Sequence, residues 1–406
     1  MNVERVDDLE GFRRLKPAWE RIYRLDPDAQ LFLSWAWMIG PLETYPGQWT
    51  ILVAKSSDGQ VRGILPLRVK STWSRSRGRL RHELQFAGRL FWADYGGILC
   101  QPDHQDEVVT AMAARLRSMH WSDLHLKGFR ASERRAVLFI EALNDERLMV
   151  RHETSTANGG TVDNLVCPYI DLPGTFDHYL ETRLSRSTRQ KVRRFTRRID
   201  GDADYRITTT TPATRTQDVD ALEYLWAAMW RHPKGQDTDH LAAKYAMIVN
   251  RGLEDSLARL CIMWHRERPI GALASFVDWE KARLLFFVSG RDRIVQDMPV
   301  GLVLHAYNIR WAIEAGLESY DLLRGNEPYK YSLGATDARI GYPVVRTVSR
   351  TNLNGSLDPG SIDQALQRAK EYAATERDNR VATICQQILD LDPHHAEARS
   401  LLTTLA

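Results

Sequence analysis

RPIGALASFVDWEKARLLFFVSGRDRIVQDMPVGLVLHAYNIRWAIEAGLESYDLLRGNEPYKYSLG, from Arg268 to Gly334, is the stretch on which the fold turns. Apolar runs at Leu260–His265 and Gly271–Val277 flank the turn-rich Arg266–Pro269, which predicts a hairpin. A third run, Ala282–Val288, closes on Ser289-Gly290, and Arg291–Asp297 is largely polar. Pro299 suits the first turn of a helix, where a missing N–H costs nothing. Apolar residues then recur at Val300, Val303, Leu304, Tyr307, Trp311 and Ala312, the spacing of a helix. Gly316 suits a left-handed cap. Ser319–Leu323 reads as a short strand and Arg324–Glu327 as a loop.

A helix start presents free N–H groups and the positive end of the helix dipole, so it attracts phosphates. Gly301 in the first turn would let a ligand come close to the backbone. Arg291 and Arg293 would add charge, whereas Asp297 would repel a phosphate unless it is paired. The alternative is an ordinary buried helix with a polar entry loop.

Four groups of residues carry a resemblance. They are Pro299-Val300-Gly301-Leu302, Ala312–Gly316, Tyr320–Gly325, and Glu327-Pro328-Tyr329-Lys330-Tyr331. Together they resemble the GNAT acyltransferase superfamily, more narrowly the CelD-like (BioF-type) acetyltransferases related to the Fem-type aminoacyl transferases. Weaker likeness lies at Phe32–Trp35, Leu65–Arg68 and the basic segment near Arg183–Arg198. The resemblance spans roughly residues 1–350. Gln296–Gly301 departs from the superfamily's usual Gln/Arg-x-x-Gly-x-Gly/Ala loop. The resemblance implies an α/β (α+β) fold of tandem GNAT-like lobes with mixed central sheets flanked by helices. The lobes would be residues 1–167 and 168–350, the second holding the active site, with a helical tail over 356–406.

The implied activity is N-acyl transfer, acetyl by preference. The donor would be acetyl-CoA or another acyl-CoA and the acceptor an amine of a small molecule or amino sugar. Transfer would be direct, without a metal. Arg291, Arg293, Gln296, Gly301 and the strand through Val288 would hold the donor. Glu327 is the better-placed base, since Asp321 is more simply a turn cap. Tyr329 and Tyr331 would protonate the leaving thiolate; in an extended segment they share one face and Lys330 points away. Arg324, Lys330 and Trp230 would meet the acceptor, although core packing is the better account of Trp230. Two other readings remain. One is Fem-type aminoacyl transfer from tRNA; the other is a non-catalytic acyltransferase-fold assembly protein working through its tail.

The duplication also shows in the residues themselves. Thr50–Ala54, Ser57-Asp58-Gly59 and Gly63–Leu67 read strand, turn, strand, then His82–Phe86 reads as another strand. The later hairpin repeats this order with Gly271 in the place of Gly63. The first half lacks a counterpart of Arg324–Tyr331, which places the chemistry in the second. The Trp92–Gly97 turn is a candidate to close the cleft from the first lobe. His305, alone on an apolar helix, reads as a core residue.

The 406 residues are 43% hydrophobic with net charge +3, enough for two or three cores and neutral as to partner. Cys100, Cys167, Cys261 and Cys385 are far apart and form no CxxC pair, against a zinc or disulfide framework. The acidic start at Met1–Glu4 is no signal peptide, and no apolar run reaches membrane-spanning length, so a reducing cytoplasm is expected. Arg183, Arg186, Arg189, Lys191, Arg193, Arg194, Arg197 and Arg198 share one helical stretch without an acid between them. Only Phe195 interleaves with them, which favours a solvated or anion-facing helix over base stacking with RNA. Beyond Ser356 the texture changes, and ILDLDP at Ile388–Pro393 resembles a tetratricopeptide repeat junction. One repeat cannot bury its own apolar face, so the tail should dock on the body, a second copy or another protein.

Overall fold

The computed structural model describes residues 1–405 apart from 131–133 and 235–236. The chain forms two compact units, one from Met1–Ser155 with Arg339–Ala406 and one from Thr156–Ala338.

In the first unit β1 (Asn2–Val6), β2 (Trp49–Lys55), β3 (Val61–Ser74) and β4 (Arg79–Phe86) lie antiparallel in that order. β5 (Asp123–His125) joins β4 in parallel, from Glu83 opposite Asp123 to Gln85 opposite His125. A parallel pair needs a long crossover, and this one carries α1 (Gln105–Arg117). Leu65, Leu67, Leu84 and Leu124 alternate along their strands onto one dry face, where Val108, Val109 and Met112 of α1 cover them. The helix sits close because Gly63 lacks a side chain: a Cβ there would fall 2.3 Å from Val108 Cγ1. β6 (Leu148–His152) completes this part of the unit.

The second unit runs β7 (Val166–Asp171), α2 (Arg186–Gly201), β8 (Tyr205–Thr209), α3 (Arg215–Lys234), α4 (Thr238–Glu254), β9 (Ala258–His265), β10 (Arg268–Asp278) and β11 (Arg283–Arg291). It continues with α5 (Val300–Glu314), β12 (Ser319–Asp321) and α6 (Pro328–Ser332). Its strands are ordered β8-β9-β10-β11-β12-β7, antiparallel except for the parallel pair β11–β12. Leu222, Leu225 and Trp226 of α3 pack on Leu260, Ile262 and Ala272, one face of the sheet. Phe195 of α2 and Val300, Val303 and Leu304 of α5 pack with Cys261, Met263 and Leu273, the other face. At Gly271 a Cβ would lie 2.1 Å from Val300 Cγ1. The expected pairing of Gly63 with Gly271 thus has a physical content. Each is where a crossover helix touches the second strand of a hairpin, before a strand that returns in parallel.

Several boundaries moved. β11 continues to Arg291 rather than ending at Val288, and β4 starts at Arg79. α3 runs through Pro233 to Lys234, and Gly235 and Gln236 after it lie outside the described residues. β13 (Pro343–Thr347), expected in the second lobe, pairs instead with β5 and β6 of the first unit, Val345 lying opposite both Leu124 and Val150.

The tail forms α7 (Ile362–Ala373), α8 (Asp378–Leu389) and α9 (Ala396–Thr404). Of the three docking partners expected for it, the body is the one observed. Leu80 joins the cluster of Leu366, Val381 and Ile384. The Gln387 amide accepts from Leu80 N at 2.8 Å and donates to Leu80 O at 3.1 Å, as a strand partner would. Buried His82 is held between Ser71 Oγ and Ser361 Oγ, and burial lowers its pKa to about 4.

Candidate active site

β11 and β12 are in register only from Arg283–Ser319 to Leu285–Asp321. Two features separate them beyond that point. On β11 the ladder with β10 slips between Ala274 and Ser275, so Phe287 is an extra residue; such a bulge bends and twists its strand. On β12 the chain turns at once. Leu323 is left-handed at φ 56°, and Leu322 N and Gly325 N donate to Pro168 O and Val166 O of the β7 strand segment. Gly290 fixes the far end of β11 under α3, since a Cβ there would meet Trp226 N at 2.5 Å. β11 is therefore held by β10 and α3 while β12 is drawn to β7, and a wedge opens between them.

The loop that leaves β12 is organised by Lys330. Its side chain is 2% exposed. Nζ donates to Leu323 O (3.3 Å), Arg324 O (2.8 Å) and Gly325 O (2.9 Å). Those three bonds use its three protons. Glu327 Oε2 lies 3.1 Å away as an ion pair, yet this enclosed oxygen accepts no hydrogen bond. The carboxylate folds over Gly325, where φ is 101° and a Cβ would fall 2.6 Å from Oε2, so only glycine fits. Lys330 is therefore no acceptor-binding residue; its ammonium is spent on the backbone. Asp321, 7% exposed, accepts from Leu323 N at 2.8 Å and caps the turn.

Residues 328–332 are helical, not extended, so the two tyrosines do not share a face. Pro328 at the helix start sets this conformation. Tyr331 donates to Asp337 Oδ1 at 2.8 Å; burial and then that carboxylate push its pKa up to about 12. The Tyr329 hydroxyl has no hydrogen-bond partner among the described residues; the side chain is 43% exposed, and partial desolvation followed by the nearby Glu327 charge raises its pKa above the ordinary tyrosine value. Its ring lies 5.8 Å from that of His305, which in turn lies 4.8 Å from Phe286, the first β11 residue past the parallel ladder. Tyr329 thus stands where the strands part.

His305 is 3% exposed, with Nδ1 2.9 Å from the Tyr320 hydroxyl, and is a core residue as expected. Burial, then the Lys330 charge, lowers its pKa to about 3. Both His305 and His82 are neutral when folded and bind a proton on unfolding below their ordinary pKa near 6.5. Stability should therefore be full above that pH and fall as pH drops toward 4, each histidine contributing a slope of about 1 kcal/mol per pH unit. Urea titrations of wild type against His305→Gln check this. An unchanged pH slope in the variant would count against a neutral buried His305.

At the start of α5 the N–H groups of the first turn lie outside the helix ladder. A Cβ on Gly301 would meet nothing within 4 Å. Arg291 and Arg293 are exposed without an acid partner among the described residues, and Gln296 is exposed beside them. Asp297 is paired: Arg198 Nη2 of α2 reaches its Oδ2 at 2.8 Å and holds its pKa low. No local sequence signal points to that partner, 99 residues away. The Val288 side chain packs toward α3, so it is not turned to a ligand. Trp230 packs beside Trp226 in that same cluster, on the sheet face opposite α5, so it is not brought to the Glu327–Tyr329 loop. Arg324 is half-buried in that loop.

Residues 186–331 match the family model described as an acetyltransferase (GNAT) domain. No curated protein sequence matches the chain. Among solved structures, FemX aligns over 86% of this chain and 98% of its own at 11% identity and TM-score 0.57. A conserved protein of unknown function from Bacteroides thetaiotaomicron aligns over 85% and 100% at 11% identity and TM-score 0.52. At that identity the likeness is one of fold.

Proposed function

We propose, on the premise that residues 186–331 are a GNAT acetyltransferase domain, that the chain moves an acyl group, acetyl by preference, from an acyl-CoA to the amine of a small molecule or amino sugar. The observation that supports this best is the parting of β11 and β12 after Leu285–Asp321, with Glu327 and Tyr329 in the loop that leaves β12. The edge of β11 past Leu285 is suited to polarise a thioester carbonyl through backbone N–H groups. The start of α5, with Gly301, Arg291, Arg293 and Gln296, is suited to the donor's phosphates. Asp297, neutralised by Arg198, no longer opposes them.

Glu327 is the base. Its Oε2 is enclosed while its side chain stays 32% exposed, leaving Oε1 to meet an amine. Glu327 takes the amine proton as the new N–C bond forms and the C–S bond breaks. Tyr329, whose proton is firmly held and otherwise unshared, delivers it to the departing thiolate. Tyr331 is committed to Asp337 and is left aside. Glu327 then releases the amine proton to solvent, and Tyr329 recovers one from it.

A thermal-shift series with acetyl-CoA, longer acyl-CoAs and free CoA tests the donor. Ligand at about 100 times its dissociation constant stabilises by roughly 2.7 kcal/mol, several degrees for a unit of this size. No shift with any of them would end the acyl-CoA reading. Aminoacyl transfer from tRNA is the second reading, favoured by one observation: Arg186, Lys191, Arg194 and Arg197 of α2 are exposed with no acid partner among the described residues. It requires tRNA binding that weakens steeply with salt and is lost when these four are reversed in charge.

A further inference from the structure

Arginines of the first unit that are partly or fully withdrawn from water reach acceptors: Arg21, Arg79 and Arg117 reach backbone carbonyls, Arg115 reaches the Ser118 hydroxyl, and several others reach carboxylates. Arg135 is bidentate on Asp26 at 2.7 and 2.9 Å. Arg5 holds Asp358, Arg81 holds Asp123 and Glu83, and Arg346 holds Asp123 and Glu153. Arg68 differs. It lies in the middle of β3, half-buried, with Trp49 opposite on β2 and Gln85 opposite on β4. Its Nε is fully enclosed and unpartnered, and none of its N–H groups reaches an acceptor among the described residues. Burial lowers its pKa, only partly offset by Tyr45 and Glu83 nearby. A cation withdrawn from water without a partner is costly, and proteins rarely keep one idle.

Its neighbours on the same face share the pattern. Lys70, two residues along β3 and therefore on the same side, is half-buried with no ion pair, although Glu83 is its cross-strand neighbour. Glu83 is turned elsewhere, to Thr72 Oγ1 at 3.0 Å and Arg81 at 3.1 Å. The Gln85 amide has no hydrogen-bond partner among the described residues. The face therefore offers two cations without an ion pair and an amide without a hydrogen bond among the described residues, next to Glu83, which is already held by Arg81 and Thr72.

We propose that Arg68 and Lys70, with Gln85 across the ladder, form an oxyanion-binding site on the first unit's sheet for a ligand carrying a carboxylate or a phosphoryl group. A planar guanidinium presents parallel N–H pairs that fit either group, and Lys70 adds a point charge. The site stands independently of the acyl-donor reading, since all three residues belong to the unit without the Glu327 loop.

The test follows the Arg68 Nε–H resonance in the full chain, labelled with 15N-arginine and identified by its loss in Arg68→Met. Sodium phosphate, acetate and chloride are titrated at matched ionic strength. A saturable shift with phosphate alone identifies a phosphoryl ligand, and one with acetate a carboxylate ligand; either supports the site. No shift, or the same shift with chloride, overturns it. Arg68→Met supplies a second readout. If the cation is kept for a ligand, its removal leaves the melting temperature of the unliganded protein unchanged or raised. A marked fall would make Arg68 a structural residue and overturn the proposal.

Discussion

Lys330→Met is expected to destabilise the second unit by about 3–5 kcal/mol, the range for breaking a buried charge from its partners. The mutant leaves the carbonyls of Leu323, Arg324 and Gly325 without their donor and strips the enclosed Glu327 Oε2 of its counter-charge. Each unmet buried acceptor costs about 1–3 kcal/mol, part of which entering water recovers. Methionine replaces the stem and no charge, so the loss reports on the ammonium and not on a cavity. Urea unfolding followed on the second unit measures it. A loss below about 1 kcal/mol would mean that the loop does not depend on this clamp.

Glu327→Gln is expected to lower kcat by about 10²–10⁴, the usual worth of a positioned general base, and to leave the thermal response to acyl-CoA intact. The amide matches the carboxylate in shape and keeps an oxygen beside Lys330, so the loop should persist where Lys330→Met disrupts it. That contrast separates chemistry from architecture. Turnover within a few-fold of wild type would remove Glu327 as the base, and with it the order of proton transfers proposed for Tyr329.

The sequence carries the second unit well because its signals are local. The hairpin, the helix from Val300 and the left-handed Gly316 each depend on neighbours a few residues away, and all are observed, Gly316 at φ 77°. Repetition of the Gly63 pattern at Gly271 marks the two matching hairpins, whereas the seating of a crossover helix on each glycine shows only in the contacts with Val108 and Val300. What escaped depends on distance or on competing local preferences. Glu327–Tyr331 alternates like a strand, yet Pro328 starts a helical turn that sends Lys330 inward and sets the two tyrosines on different sides. Asp297 looked hostile to phosphate because Arg198, its partner, comes from another helix. Arg68 gave no sign of its isolation, since a missing partner leaves no mark in a one-dimensional string.

The return of β13 to the first unit has a consequence for how the protein is made. Val345 pairs with Leu124, made more than 200 residues earlier. At ordinary ribosomal speeds of about 5–20 residues per second, that interval lasts on the order of 10–40 s. During it the growing chain holds β5 and β6 without the strand that joins them, while Thr156–Ala338 has everything it needs to fold. The unit begun second is thus finished first, and the unit begun first must keep its open strands from foreign partners until its own C-terminal segment arrives.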